Sequence, residues 1–160
     1  MAGLLVVGIP FLVVCVVVAS FIMLSTLSNR RNVQFAAARG VTYEKHGKTP
    51  IAVPKVVYGQ RDLNETSSFL YGPWHGVDCF ACDFRIGWGR GSVEWLSMVA
   101  IHAELQAVSG LDLKRWVLTP LNGWTFLVPR EPKGGTLKIK KVIELWDLLA
   151  AAIPNIDQRE

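Results

Sequence analysis

The stretch Gly76-Val-Asp-Cys-Phe-Ala-Cys-Asp-Phe-Arg-Ile-Gly-Trp-Gly-Arg-Gly-Ser-Val-Glu-Trp-Leu-Ser-Met-Val-Ala-Ile-His-Ala-Glu-Leu105 decides the fold. Two arms rich in apolar residues flank Gly87-Trp-Gly-Arg-Gly91, whose three glycines supply the positive φ angles that a tight turn uses. The spacing predicts a β-hairpin. In the second arm Val93, Trp95, Val99, Ile101, Ala103 and Leu105 share one face, with Ser97 as its polar member. That face is expected to be buried. Glu94, Leu96, Met98, Ala100, His102 and Glu104 share the other, a mixture that predicts a partly covered or partly wet surface.

Outward from the hairpin the pattern stays extended. Ile51-Ala-Val-Pro-Lys-Val-Val-Tyr58 is β-branched and holds prolines, as an edge strand or extended entry would. The polar run Gln60-Arg-Asp-Leu-Asn-Glu-Thr-Ser-Ser68 reads as a loop. Trp116-Val-Leu-Thr119 and Gly123-Trp-Thr-Phe-Leu-Val128 read as strands joined at Asn122-Gly123. The period then lengthens from two to 3.6. Ile139, Val142, Ile143, Trp146, Leu149, Ala150 and Ile153 line one side of a helix, and Lys140, Lys141, Glu144 and Asp147 the other, with Pro154 ending it. Strands followed by one amphipathic helix predict an α+β domain. The expected form is a small curved antiparallel sheet or partly open barrel, capped by the C-terminal helix in a pleckstrin-homology-like layout.

The start of the chain sets its solvent. The sequence has 51% hydrophobic and 19% charged residues, against about 25% charged in an average soluble domain. The excess lies in residues 3–27, which hold no charged side chain and exceed the ~20 residues that cross a hydrocarbon layer. A cleaved secretory signal would carry a basic start and a shorter apolar stretch. Basic residues follow the run instead: Arg30, Arg31, Arg39, Lys45, Lys48 and Lys55, against Glu44 alone. Positive charge is retained in the cytoplasm, so the N-terminus is expected outside and the C-terminal domain inside, at a cell inner membrane or plasma membrane. The expected divisions are a transmembrane anchor over 1–28, a basic juxtamembrane tether over 29–54, a β-rich cytosolic domain over 55–154 and a tail over 155–160. Within the tether, Val33 and Phe35–Ala38 extend a helical pattern until Gly40 stops it.

Candidate chemistry is sparse. Cys79-Phe-Ala-Cys82 has the spacing of metal or thiol-redox pairs, so both cysteines are metal candidates, though a period-two strand points them to opposite faces. Buried apolar packing is the plainer role. Asp78, Asp83, Glu94 and Glu104 read as solvated charges or cross-strand partners for Arg85 and Arg90. No nucleophile elbow, phosphate-binding glycine loop or His-Glu-x-x-His occurs, so no catalytic residue is assigned and no cofactor is implied. The net charge of +4 is spread rather than striped, which argues against nucleic acid. The expected partners are the bilayer, through residues 3–27, and another membrane protein. Arg30, Arg31 and Arg39 beside the membrane, and Trp88 with Arg90 at the hairpin tip, are the candidate contacts.

Phe69-Leu-Tyr-Gly72, the strand Gly76-Val-Asp-Cys-Phe-Ala-Cys-Asp-Phe-Arg-Ile86 and the glycine turn after it resemble a family of uncharacterised bacterial membrane-anchored proteins. In those a Gly-Val-x-Val-x-x-Phe-Asp-Tyr-x-Tyr strand precedes a glycine turn. Leu111-Asp-Leu-Lys-Arg-Trp-Val-Leu-Thr-Pro120 stands where that family has Leu-Pro-x-Phe-x-Leu-x-Pro, and Trp124-Thr-Phe-Leu-Val128 and the last helix follow in order. The likeness covers residues 57–153. Cys82-Asp-Phe-Arg-Ile86 departs from the aromatic pattern, and the proline of the middle segment is absent. The resemblance implies an anchored domain of unknown function and transfers no catalytic residue. The reading at this stage is therefore a membrane-anchored interaction or accessory module. A tethered metal or thiol-redox protein using Cys79 and Cys82, or an anionic-lipid-binding domain, stand as alternatives.

Overall fold

The computed structural model describes residues 2–46, 63–88, 92–130 and 136–154. Helix α1 (Ala2–Ala37) comes first and continues through Pro10. Its span Leu12–Ala37 is long and apolar enough to cross a membrane. Phe21, Leu24 and Leu12 are each about two-thirds or more exposed, so the domain does not cover this surface. The Thr26 hydroxyl donates to the Ile22 carbonyl at 2.8 Å, satisfying a polar group inside its own helix as an apolar solvent demands.

The helix ends by backbone geometry. Gly40 adopts φ 72°, and the Val41 and Gly40 amides reach back to the Ala36 and Ala37 carbonyls at 3.2 and 3.1 Å. This is a Schellman closure, completed by apolar contact between the residues at its two ends. Ala36 and Val41 are both buried. The chain passes at once into β1 (Thr42–Glu44), which pairs with Phe69–Tyr71, so the chain after α1 is built into the sheet within a few residues.

The sheet then adds β2 (Leu63–Trp74), β3 (Val77–Trp88), β4 (Ser92–Ile101), β5 (Trp116–Leu121) and β6 (Trp124–Pro129). The order is β1-β2-β3-β4-β6-β5, all antiparallel and open. The expected hairpin is β3–β4, with Trp88 paired to Ser92. Asn122-Gly123 joins β5 to β6 with φ 53° and 80°, the left-handed pair of a two-residue hairpin turn. Pro120 sits in β5 at the sheet edge, where a missing N–H costs no ladder bond. Helix α2 (Ile139–Ala150) closes the domain, making it α+β. Its Val142, Leu145, Trp146 and Leu149 pack on Cys79, Ala81, Val99 and Ile101. Each such large side chain contributes about 1.5–3 kcal/mol by leaving water.

Two expectations change. Leu63–Ser68 belongs to β2 and is not a loop. Its backbone pairs with β3, and a register shift between Ser67 and Leu70, with Ser68 at φ 55°, absorbs the polar side chains. The second face of the hairpin, read as mixed, is buried from Leu96 to Ala100. Leu96, Met98 and Ala100 lie against Phe69, Phe80, Phe84 and Phe126, and β4 stops at Ile101, leaving His102 and Glu104 beyond the strand. Sequence alternation marks one strand at a time, whereas the aromatic layer is assembled from β2, β3 and β6 together. The segment read as an edge strand over 51–58 lies outside the described residues.

Candidate functional site

The site grows from one cross-strand pair. Asp83 on β3 and Ser97 on β4 are opposite each other, and by strand parity both point to the face that carries Cys79, Ala81, Val99 and Ile101. Asp83 is 8% exposed. The Ser97 hydroxyl donates to Asp83 Oδ1 at 2.5 Å, and Ser97 Oγ accepts the Leu137 amide at 2.6 Å from the segment leading into α2. Burial raises the Asp83 carboxyl to about 6, and the Ser97 and Ser68 hydroxyls offset part of that rise. Ser68 is placed by the irregular step in β2, where its own amide donates to the Lys45 carbonyl at 2.9 Å.

Above this floor lies a cleft of about 770 Å³. Ser28, Arg31, Asn32 and Phe35 form one wall, all on α1 where it leaves its apolar run. Thr136 through Lys140, at the start of α2, line it as well, together with Tyr43 and Leu70. α2 begins without a side-chain cap and without an acid in its first turn, and lysines surround its N-terminus. Arg31, Lys138 and Lys140 make no ion pair among the described residues. The cleft thus has an anionic floor and a cationic rim.

The sequence-level candidates fall as follows. Arg31 lines the cleft, and Arg30 is exposed on α1 outside it. Arg39 folds back over the Phe35 ring at 3.6 Å and donates to the Phe35 carbonyl at 3.2 Å, so it caps its own helix. The side chains of Trp88 and Arg90 lie outside the described residues. Cys79 joins the core under α2 and Cys82 the phenylalanine layer on the other face. Burial, reinforced by the neighbouring Asp78, raises Cys79 far above the usual thiol range. Burial with Asp83 lifts Cys82 to about 12. Both stay protonated and point apart. Among the described residues no three His, Cys, Asp or Glu side chains come together to hold a metal.

Asp83 is the residue that strand-by-strand reading missed, since it was taken for a solvated charge or an arginine partner. The signal was present in the register. With Trp88 paired to Ser92, Asp83 falls opposite Ser97, the polar member of the buried face, and two polar residues facing each other there mark a buried pair. Trp74, half-buried, donates from Nε1 to Asp147 Oδ1 at 2.8 Å and pins the β2–β3 turn to α2. No protein-family profile, no curated protein and no solved structure matches the chain.

Proposed function

We propose that this protein is a single-pass membrane protein whose β-rich domain rests on the cytoplasmic side of the bilayer and serves as a non-catalytic interaction or accessory module. One observation carries the reading. Helix α1, exposed and apolar as far as Leu27, continues without a break to an end locked in the domain core through Ala36 and Val41. Such a surface is costly in water and natural in lipid. The basic residues that follow it favour the inward orientation of the domain. A membrane-protein partner suits a domain held this close to the bilayer, and no reaction is assigned to it.

The membrane placement is tested by alkaline carbonate extraction and by an impermeant label on intact cells. The chain should stay in the pellet and its C-terminal domain should remain unlabelled. Crosslinking in mild detergent should recover a stoichiometric membrane partner; a chain that stays alone argues against the module reading. The lipid-binding alternative gains support from the cleft, which opens at the membrane exit of α1. The thiol or metal alternative gains none from Cys79 and Cys82, which occupy separate cores.

A further inference from the structure

We infer that the cleft between α1, the sheet and α2 binds the headgroup of an amine-bearing phospholipid, with the ammonium on Asp83 and the phosphate against Arg31, Lys138 and Lys140. The inference rests on the membrane-anchored reading and gives it a ligand.

The floor calls for a cation. An ionised carboxylate offers about four acceptor positions. Ser97 fills one with its single proton, and its oxygen in turn accepts the Leu137 amide. Among the described residues the Ser68 hydroxyl is the other donor acting on Asp83, and no cation pairs with the carboxylate. A buried carboxylate without a counter-ion is costly, and a primary ammonium would supply both charge and hydrogen-bond donors.

The rim calls for an anion. Lysines at the start of α2 oppose the partial positive charge of a helix N-terminus, so the helix begins under electrostatic stress that a phosphate relieves. Arg31 adds a planar fork suited to phosphate oxygens. It stands four residues after Leu27, about 6 Å further along the helix axis, which is the depth of lipid headgroups when residues 3–27 span the hydrocarbon. The cleft volume of about 770 Å³ is within the ~300–1,000 Å³ of small-molecule sites.

The two signs together select the ligand. An anionic glycerol headgroup satisfies the rim but leaves Asp83 unpaired and repelling it. A choline headgroup brings charge but no N–H to donate. An ethanolamine headgroup meets both ends.

The test uses the full-length chain in a mild non-ionic detergent, offered an equimolar mixture of phosphatidylethanolamine, phosphatidylcholine and phosphatidylglycerol, with retained lipid read by native mass spectrometry. Phosphatidylethanolamine should be retained about tenfold or more over either competitor. Asp83→Asn, which keeps the shape, should erase that preference, and Arg31→Gln on the exposed wall should weaken all three several-fold. Equal retention of the three lipids, or a preference that survives Asp83→Asn, overturns the inference. Soluble O-phosphoethanolamine should compete only weakly; tight binding of it, with no retention of the lipid, would overturn the lipid source. Carbonate extraction of the same chain separates the two levels. A chain that resists extraction and shows no ethanolamine preference sinks this inference alone, while one that washes off sinks the anchored reading and the headgroup site with it.

Discussion

Asp83 carries the clearest energetic signature in the molecule. Its carboxyl titrates near 6 in the folded chain, against about 3.9 when unfolded. Between those values the folded state binds more protons than the unfolded state, so stability falls as pH rises from about 4 to about 6 and stays lower above that. The full difference is up to about 3 kcal/mol at neutral pH. Arg31 on α1, Lys138 just before α2, Lys140 on α2 and Tyr43 on β1 line the same cleft and supply no offsetting shift. Asp83→Asn should therefore raise the melting temperature of the detergent-solubilised chain by several degrees at pH 7.5 and leave it nearly unchanged at pH 4. An equal change at both pH values would show that Asp83 is not the titrating group. A charge that lowers stability in this way is the kind of group that a binding site retains. The cysteines behave in the opposite manner. Cys79 and Cys82 should stay unmodified by maleimide in the native protein and react at once in urea, since burial holds both protonated.

Elements hold the residues in place, and two of them do so in ways that differ in legibility. Gly40 closes α1 at φ 72° with open space where a Cβ would go, so Gly40→Ala meets only the backbone penalty of the left-handed region. The expected loss is about 1–2 kcal/mol, read from a urea midpoint with unchanged slope. Leu149→Ala, fully buried in the last turn of α2, should cost more, about 2–5 kcal/mol. Both elements were legible because each has a local signature: a glycine after an alanine run, and an apolar stripe at helical period. The Asn122-Gly123 turn was legible for the same reason. Leu63–Ser68 was not, because a strand at an irregular register is defined by its partner β3 and not by its own alternation. The cleft was illegible for a further reason. It joins residues from α1, four strands and the start of α2, and only the packed fold brings Arg31 and Lys138 to the same opening as Asp83.

At the scale of the whole molecule, the join between anchor and domain makes a separable prediction. The apolar surface that calls for lipid ends near Leu27, whereas the packing that calls for the domain begins at Phe35 and Ala36, with one helix serving both. Removing residues 1–27 should give a water-soluble, folded domain, because the core residues Ala36 and Val41 and the Schellman closure at Gly40 remain. Removing residues 1–41 should not give an equivalent domain. It strips Ala36 and Val41 from the core, takes away the α1 wall of the cleft and leaves the short β1 without its lead-in, so the urea midpoint should fall with a loss of about 2–4 kcal/mol. The shorter truncation must also stay monodisperse without detergent while the full-length chain does not. If both truncations melt alike, α1 is only a leash. If the second is the weaker, α1 is a structural member of the domain, and on the anchored reading the orientation of the cleft towards a bilayer would be fixed by packing and not left to a flexible linker.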